Sequence, residues 1–284
     1  MKTFESNFEG ADANSFYVCG WKPESDSKPK AVVALIHGLG EHIGRYEHVA
    51  KALTDAGYVL AGFDLRGHGK SGGARGHFPS LDTVMDDITR FRQFLSTRYA
   101  DLPQFIYGHS LGGLLTLTYT LQNRSGLQGA IVTSPGLRTA LQEQKGKIAL
   151  VKMLGGLLPT VTVPSDLDVK TLSRDPQVVQ KYVDDPLVHY KTSLGFGRAG
   201  LSAIDYCFAH AREYSYPLLL MHGKADRLTY SSGSEDFARL ASEKNKDLTL
   251  KLWDGLYHET HNEPEKAEVI KTMIEWLDKH SNSK

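Results

Sequence analysis

FIYGHSLGG occupies residues 105–113 and combines two predicted elements with a sharp turn between them. The apolar residues before Gly108 predict a strand, and the apolar residues after the motif predict a helix. A Gly-x-Ser-x-Gly motif in that context is typical of a nucleophilic serine held at the end of a sheet. Gly108 and Gly112 would let strand and helix approach closely, and the helix N-terminus would present N–H groups to negative charge developing beside Ser110.

The motif alone can also arise by chance. Glycine and serine each make up roughly 7% of residues, so the three fixed positions match in about one chain in ten of this length. The motif is stronger evidence because a predicted strand precedes it and a predicted helix follows it. These flanking elements make Ser110 the candidate nucleophile.

The composition limits the classes of protein to which the chain can belong. Its 284 residues include 33 basic and 33 acidic side chains, which suits one α/β domain with an insertion and gives no electrostatic case for nucleic-acid binding. Two cysteines, Cys19 and Cys207, provide neither a disulfide framework nor metal-binding spacing, so a reducing compartment is expected. The N-terminus lacks the apolar core of a signal peptide, and no apolar run approaches 18 residues. These features predict a cytoplasmic protein without a membrane span.

Apolar runs alternate with helical patterns along most of the chain. Continuous apolar runs suit strands that are buried on both faces, as parallel sheets require. Predicted strands lie at residues 16–19, 31–36, 58–63, 105–107, 128–133, 217–222 and 248–253. Predicted helices lie at residues 45–56, 81–97, 114–119 and 231–242, with a last helix from Pro264 onward. The alternation predicts an α/β fold with a mostly parallel, doubly wound sheet.

The alternation stops at about residue 137. Residues 147–158 form an apolar helical segment, connections rich in proline and aspartate follow, and a further helix is predicted at 198–212. No strand alternation is visible in this part of the sequence. The sequence therefore predicts a core domain made of residues 1–136 and 213–284, with residues 137–212 inserted as a helical cap, or lid, over the sheet.

A serine hydroxyl is a poor nucleophile at neutral pH, so Ser110 needs a base, and the base needs an orienting acid. When the nucleophile follows a middle strand of such a sheet, the acid and then the histidine follow late strands. Residues 134–136 contain no carboxylate, whereas Asp226 follows the strand that ends at residue 222, and His258 follows the last strand. Ser110, Asp226 and His258 are therefore the predicted catalytic triad.

Plainer roles remain open for two members of this triad. Asp226 could be an ordinary turn residue, and His258 a surface histidine. Asp254 is a rival acid, but it lies only four residues before His258 in the same loop. The cluster at 258–261 lacks the His-Glu-x-x-His spacing of a zinc site, so no metal is expected.

Acyl transfer also needs two N–H donors for the oxyanion. The residue after the nucleophile, Leu111, should supply one, and Leu39 in the glycine loop at 37–40 should supply the other. A plain tight turn is the alternative for that loop. A second glycine-rich loop, at 64–73, has neither dinucleotide-binding nor Walker spacing, which favours a structural role over phosphate binding.

Five motifs together resemble those of the monoacylglycerol lipase and lysophospholipase branch of the α/β-hydrolases. They are HGLGEH at 37–42, DLRGHGKS at 64–71, GHSLGG at 108–113, HGKAD at 222–226 and YHE at 257–259. The resemblance runs from about residue 30 to the C-terminus. It implies an α/β-hydrolase fold and a serine hydrolase without cofactor, which cleaves monoacylglycerols to fatty acid and glycerol through an acyl-enzyme.

The resemblance also implies where the glycerol part of the substrate would bind. The matching positions are Glu41, Arg45, Tyr182 and His261, each of which could instead be an ordinary exposed polar residue. Leu39 is larger than the residue that some members have there. That difference leaves its N–H intact but affects the width of the pocket.

The helical segment of the predicted cap carries too many apolar residues for a helix with one buried face. These residues are Ile148, Leu150, Val151, Met153, Leu154, Leu157 and Leu158. One face could line the acyl chain while another contacts a membrane surface. A core helix between the sheet and the loops is the alternative. A lipid ester substrate and transient peripheral membrane contact through the cap are therefore expected.

Other functions remain open at this stage. The chain could be a lysophospholipase, a general carboxylesterase or a thioesterase. A non-catalytic binding or receptor protein on the same scaffold is disfavoured by the intact Ser110, Asp226 and His258. Serine at the centre of the motif also disfavours the aspartate-nucleophile chemistry of dehalogenation and epoxide opening. The sequence gives no indication of the oligomeric state.

Overall fold

A single large sheet with helices on both faces organises the chain. The computed structural model describes residues 1–25, 27–122, 126–140, 144–165 and 167–281. The strands in these ranges are β1 (Lys2–Glu9), β2 (Ser15–Lys22), β3 (Val32–Ile36), β4 (Val59–Phe63), β5 (Gln104–His109), β6 (Gly129–Thr133), β7 (Thr162–Pro164), β8 (Lys191–Ser193), β9 (Leu218–Gly223) and β10 (Leu248–Trp253). The α-helices are α1 (Glu47–Asp55), α2 (Leu81–Arg98), α3 (Leu111–Leu121), α4 (Lys145–Leu157), α5 (Pro176–Asp184), α6 (Leu194–His210), α7 (Ser231–Ala241) and α8 (Lys266–Ser281).

Eight strands form the main sheet in the order β1-β2-β4-β3-β5-β6-β9-β10. β1 pairs antiparallel with β2, and β2 pairs antiparallel with β4. Every pair from β4 to β10 is parallel. The predicted mostly parallel α/β fold is confirmed. Because parallel strands point the same way, the loops after β3, β5, β9 and β10 meet at one edge of the sheet, where ligands bind in folds of this class.

The parallel strands send alternate side chains into two hydrophobic layers. In β3, Val32, Ala34 and Ile36 pack into the layer that holds α2, α3, α6 and α7. Val33 and Leu35 pack into the opposite layer, with α1 and α8. All five side chains are fully buried. Burial on both faces explains why the apolar run in the sequence is continuous rather than alternating.

The N-terminal region has two strands, whereas the sequence predicted one strand near residues 16–19. β1 pairs with β2 along its whole length. It is an edge strand with mostly polar residues, and Phe8 anchors it by stacking on Phe16 with ring centroids 4.9 Å apart. An edge strand with one exposed face needs few apolar residues, so the sequence pattern is too weak to predict it.

Residues 137–212 also contain more structure than the sequence predicted. β7 and β8 form a small antiparallel pair of three residues each, too short for a recognisable alternation. α5 occupies a region where only connections were expected. Asp175 caps α5 by accepting a hydrogen bond from the Gln177 N–H, and Pro176 is at its start. These local signals indicate a helix start, but the polar composition of the segment hides the helix in the sequence pattern.

α6 connects this segment to the core. It begins at Leu194, four residues before the predicted start, because the Ser193 hydroxyl accepts a hydrogen bond from the Phe196 N–H and caps it. Ala203 and Cys207 of α6 are fully buried in the layer of α2, α3 and α7. The last helix of the segment is thus partly a core helix. The predicted cap range also includes residues 141–143 and 166, which lie outside the described residues.

Two further helix starts differ slightly from the predictions. Residues 43–46 form a 3-10 turn before α1, and α8 begins at Lys266, with Pro264 in the preceding turn. Shifts of one or two residues are ordinary at helix ends. None of the helices in the described ranges combines the length and the apolarity needed to cross a bilayer.

Candidate active site

Ser110 lies at the turn between β5 and α3 in a strained conformation, with φ 55° and ψ −117°. Its backbone N–H donates to the Thr133 carbonyl at 2.9 Å, which ties the turn to β6. A Cβ on Gly108 would overlap the carbonyl oxygen of Gly112, and a Cβ on Gly112 would overlap that of Ile36. Both glycines are therefore required for α3 to pack this closely against the sheet.

Ser110, His258 and Asp226 form a continuous hydrogen-bonded chain. His258 Nε2 lies 2.9 Å from Ser110 Oγ, and His258 Nδ1 lies 2.7 Å from Asp226 Oδ2. A carboxylate only accepts, so Nδ1 carries the proton and Nε2 is free to accept the serine hydroxyl. Asp254 lies elsewhere: its side chain is 87% exposed and pairs with Lys224 at 2.7 Å. Of the two candidate acids, the structure brings only Asp226 to His258.

The Asp226 carboxylate is buried and accepts five hydrogen bonds. Oδ1 accepts from the backbone N–H groups of Leu228 and Thr229, at 2.8 and 3.0 Å. Oδ2 accepts from His258 Nδ1, from the Thr229 hydroxyl at 2.9 Å and from His222 Nε2 at 3.1 Å. This number of donors holds a buried carboxylate in one orientation and compensates for its lost hydration.

The two charged partners shift each other's pKa. Burial opposes ionisation of Asp226, but His258 and His222 outweigh it and hold the pKa of Asp226 well below its usual range. Burial also opposes protonation of His258, but the Asp226 carboxylate outweighs it and raises the pKa of His258 above its ordinary value. The pair therefore combines an ionised acid with an imidazole that is a stronger base than free histidine.

The two predicted oxyanion donors lie close to Ser110 in the chain's fold. Leu39 borders the small cavity beside the serine, and Leu111 is the first residue of α3. Among the residues that the structure describes, neither backbone N–H has a protein acceptor. N–H groups at the first turn of a helix have no partner within the helix, which leaves that of Leu111 available. Their role in holding an oxyanion stays a prediction.

Glu41 is 2% exposed and fastens the loop that carries Leu39. Its Oε1 accepts from the Gly38 N–H at 2.6 Å and from the Tyr46 hydroxyl at 2.7 Å. Its Oε2 accepts from the Arg45 guanidinium at 2.6 Å. Burial raises the pKa of Glu41, against the influence of Arg45. Glu41 borders the same cavity, but both of its oxygens already have protein partners.

Arg45 is the centre of a buried ion-pair network behind the cavity. Besides Glu41, it binds both oxygens of Glu259, at 2.7 and 2.8 Å. Burial opposes ionisation of Glu259, but the Arg45 cation outweighs it and lowers the pKa of that carboxyl. The guanidinium also lies 4.6 Å from the centre of the Tyr182 ring. Tyr182 borders the cavity, whereas Arg45 lines a separate, open groove.

His261 lies deeper still and is 1% exposed. It stacks on Tyr46 with ring centroids 5.0 Å apart, and its Nδ1 lies 3.4 Å from the Tyr107 hydroxyl. Burial lowers the pKa of His261 to about 3, so its ring is neutral. Of the four residues predicted to bind glycerol, Glu41 and Tyr182 line the cavity. The other two, Arg45 and His261, lie behind it.

The cavity beside Ser110 is narrow, and Ser110 itself is partly exposed. Its volume is about 10 Å³, which is room for a single water molecule. Three of its lining residues, Leu167, Leu172 and Tyr182, come from residues 137–212. A long-chain ester needs more room than this cavity provides.

Two further side chains, which the sequence did not predict, contact Asp226. His222 lies 3.1 Å from Asp226 Oδ2, and the Thr229 hydroxyl lies within 3.2 Å of both that oxygen and His258 Nδ1. The HGKAD motif at 222–226 is the signal that could have found His222. The spacing alone does not say that the imidazole turns back toward the acid.

The glycine-rich loop at 64–73 is fastened by the buried Asp64. Its carboxylate accepts from the N–H groups of Ile43 at 2.9 Å and Lys70 at 2.7 Å. A carboxylate at the centre of the loop makes it unsuitable for phosphate. In the part of the chain that the structure describes, no three histidine, cysteine, aspartate or glutamate side chains are grouped as metal ligands.

The comparisons with known proteins agree with this geometry. Residues 27–265 match the family model described as serine aminopeptidase, S33. The chain is 40% identical over 279 residues to an uncharacterized abhydrolase domain-containing protein of Dictyostelium discoideum, which covers 98% of this chain but only 29% of that protein. It is 35% identical over 278 residues to a monoacylglycerol lipase of Mycolicibacterium smegmatis, with 97% of each chain covered.

A solved structure agrees as well. The crystal structure of a monoacylglycerol lipase from Paleococcus ferrophilus matches with a TM-score of 0.83 and 33% identity, covering 99% of this chain and 100% of that one. The fold and the hydrogen-bonded serine, histidine and aspartate are those of the α/β-hydrolase class of serine hydrolases. The chain belongs to the serine aminopeptidase S33 family. Its resemblance to the monoacylglycerol lipase and lysophospholipase branch of the α/β-hydrolases is confirmed.

Proposed function

We propose that this chain is a monoacylglycerol lipase that cleaves its substrate through an acyl-enzyme on Ser110, with His258 as the base and Asp226 as the orienting acid. One observation carries the proposal. The chain of hydrogen bonds from Ser110 Oγ through His258 to Asp226, at 2.9 and 2.7 Å, lies at the end of the sheet on the fold of relatives that are named monoacylglycerol lipases.

The first half-reaction transfers the acyl group to the enzyme. His258 Nε2 takes the Ser110 proton while Oγ forms a bond to the ester carbonyl carbon. The carbonyl oxygen becomes an oxyanion, which accepts hydrogen bonds from the N–H groups of Leu39 and Leu111. Asp226 stabilises the imidazolium. The carbon–oxygen bond to glycerol then breaks, and His258 returns the proton to the glycerol oxygen.

The second half-reaction releases the fatty acid. A water molecule takes the place of glycerol, and His258 Nε2 takes its proton while the oxygen attacks the acyl carbon. When the tetrahedral intermediate collapses, Ser110 Oγ leaves and recovers its proton from His258. The products are a free fatty acid and the starting enzyme, so the cycle needs no cofactor.

The glycerol end of the substrate would meet Glu41 and Tyr182. These are the two polar side chains on the cavity wall among the predicted glycerol residues. Arg45 and His261 would act from behind: Arg45 binds Glu41 and lies over the Tyr182 ring, and His261 stacks on Tyr46, which binds Glu41.

Residues 137–212 would serve as the cap that admits the acyl chain. Leu167, Leu172 and Tyr182 from this segment border the cavity of about 10 Å³ beside Ser110. An acyl chain of a dozen or more carbons needs far more space, so the cap must move when substrate enters. The apolar helix α4 lies in the same segment and would line the path of the chain.

The outer face of the cap would contact lipid surfaces. α4 and the residue after it expose Leu150 to 49%, Met153 to 57%, Leu157 to 71% and Leu158 to 51%. Residues 144–165 contain three lysines and no acidic residue. Of these lysines, Lys152 pairs with Asp205 at 2.6 Å. An exposed apolar face on a segment with a basic sequence suits the surface of a membrane that contains anionic lipids.

A substrate panel tests the proposed function. Turnover of a long-chain monoacylglycerol, the matching lysophospholipid, the matching acyl thioester and a short p-nitrophenyl ester should be compared. The monoacylglycerol should have the highest kcat/KM. A higher value for the lysophospholipid, the thioester or the short ester would replace the proposal with the corresponding activity.

A pair of tyrosine variants tests whether Tyr182 contacts the glycerol part of the substrate. Tyr182→Phe should raise KM for the monoacylglycerol and leave that for a p-nitrophenyl ester with the same acyl chain unchanged. Tyr190→Phe is the matched control, because Tyr190 is 40% exposed and does not line the cavity. Equal effects of Tyr182→Phe on both esters would remove it from the glycerol site.

A pair of cap variants tests the membrane contact. Leu150 and Val183 are both 49% exposed, but only Leu150 lies on α4. Leu150→Ser should weaken sedimentation with vesicles that contain phosphatidylglycerol, and Val183→Ser should weaken it less. Equal binding of both variants and the unchanged protein would contradict contact through α4.

A further inference from the structure

His222 is a buried histidine beside the candidate triad that the proposed mechanism does not use. It lies near the end of β9, four residues before Asp226, and its side chain is fully buried. Nε2 lies 3.1 Å from Asp226 Oδ2 and 2.9 Å from the Thr229 carbonyl oxygen. Nδ1 lies 2.7 Å from the Ser234 hydroxyl.

These contacts determine which ring nitrogen carries the proton. A carbonyl oxygen and an ionised carboxylate are acceptors only, so the nitrogen that faces both of them must be the donor. His222 is therefore protonated at Nε2, and Nδ1 accepts from the Ser234 hydroxyl. Ser234 lies on α7 and is fully buried, so the imidazole is held between two core elements.

His222 and the base, His258, donate to the same oxygen of Asp226. Asp226 Oδ2 receives His258 Nδ1–H at 2.7 Å and His222 Nε2–H at 3.1 Å. Two imidazoles thus share one carboxylate oxygen, and only one of them reaches Ser110. The His222 donor is one of the five that hold the carboxylate, and a donor on the same oxygen reduces the negative charge that His258 experiences.

We propose that His222 is a positioning residue of this active site, which aims the Asp226 carboxylate at His258 and limits the basicity that Asp226 confers on it. The inference rests on the proposed function and concerns how its base is tuned. His222 does not line the cavity beside Ser110, so it acts through Asp226 rather than on the substrate.

Several groups around His258 affect its pKa, and a test of His222 must leave them unchanged. Besides Asp226, Glu259 and Glu41 raise the pKa of His258, and His261 also interacts with it electrostatically. The ring of His109 is also near, with its centroid 4.9 Å from that of His258. None of these four side chains is changed in the variants below.

The experiment compares pH profiles of kcat and KM for a soluble p-nitrophenyl ester in three variants. His222→Leu removes the donor, and His222→Gln keeps an N–H group on a side chain of similar length. In His222→Leu, kcat should fall by about tenfold or more, with KM unchanged. The acidic limb of kcat/KM should move up by about 0.5–1 pH unit, because His258 would face the full carboxylate charge. His222→Gln should recover most of both effects.

Ser234→Ala distinguishes this role from simple packing. It removes a hydroxyl from the same buried cluster but leaves the Nε2 proton between its two acceptors, so the acidic limb should stay where it is. A limb that moves equally in Ser234→Ala and His222→Leu would show a structural role and overturn the proposal. An unmoved limb in His222→Leu, or a Gln variant no better than Leu, would overturn it as well.

A measurement on the unchanged protein decides the question if His222→Leu does not fold. Nitrogen-15 NMR of the histidine rings at pH 8 should show the His222 proton on Nε2. A proton on Nδ1 would overturn the proposal. If the unchanged protein hydrolyses no ester, the proposed function fails, whereas this NMR measurement still decides whether His222 donates to Asp226.

Discussion

Asp226 and Asp254 differ in what surrounds them, and this difference predicts how their substitution affects catalysis. Asp226→Asn should lower kcat by about 10³–10⁴, because the imidazole would lose both its orientation and its counter-charge. Asp254→Asn should change kcat little, since Asp254 is exposed and pairs with Lys224. Steady-state kinetics on one ester compares the two variants. The opposite ranking would make Asp254 the acid.

The raised pKa of His258 predicts the pH dependence of the reaction. The histidine must be neutral to accept the Ser110 proton, so kcat/KM should increase as the pH rises through the pKa of His258 in the free enzyme. Burial opposes the charged form, but Asp226 outweighs it and raises that pKa. The midpoint should therefore lie above the ordinary histidine value of about 6.5. A midpoint below that value, or a flat profile, would contradict a histidine paired with an ionised aspartate.

For individual residues, the sequence predicted which three side chains come together, but not all the side chains that hold them in place. Ser110, Asp226 and His258 follow β5, β9 and β10, so their convergence follows from parallel strands. The contacts of His222 and Thr229 with Asp226 depend on how side chains turn inside the loop after β9. Spacing along the chain does not contain that information.

At the scale of elements, the approach of α3 to the sheet depends on Gly112. A Cβ there would overlap the carbonyl oxygens of Ile36 and His37, which are backbone atoms and cannot move aside easily. Gly112→Ala should lower the free energy of unfolding by about 1–3 kcal/mol or more. Gly200 in α6 is the matched control, because a Cβ there meets nothing within 4 Å. Gly200→Ala should raise the free energy of unfolding by about 0.5–1 kcal/mol.

Urea denaturation followed by circular dichroism measures both changes. Equal stabilities of Gly112→Ala and the unchanged protein would contradict the close packing of α3 against β3. A destabilising effect of Gly200→Ala would show that α6 is not a regular helix at that position.

The elements that the sequence predicted well are those with continuous apolar runs or a strong helical period. β3 to β6 and α2 are of this kind, and their predicted ranges agree with the structure to within a few residues. The sequence did not predict β1 and α5, because neither has a strong apolar pattern of its own and both depend on contacts with other parts of the chain. β1 is completed by pairing with β2, and α5 carries only Tyr182 as a buried residue.

At the scale of the whole molecule, two parts of the chain meet over Ser110. The core supplies the strand ends and most of the lining of the cavity of about 10 Å³, and residues 137–212 add Leu167, Leu172 and Tyr182. The sequence predicted an apolar segment above the site. It could not predict how this segment sits against the core, because that depends on contacts between residues far apart in the chain. Among these are the hydrogen bonds of Glu259 N–H to the Leu172 carbonyl and of His189 N–H to the Gly40 carbonyl.

In the proposed mechanism, esters are cleaved through a covalent intermediate on Ser110. The most direct test is labelling with a fluorophosphonate followed by peptide mass spectrometry. The unchanged protein should carry one label, on Ser110, and lose hydrolysis of the long-chain monoacylglycerol in proportion to labelling. Ser110→Ala should fold, remain unlabelled and hydrolyse no ester. Labelling of another serine, or hydrolysis by Ser110→Ala at the rate of the unchanged protein, would contradict the claim.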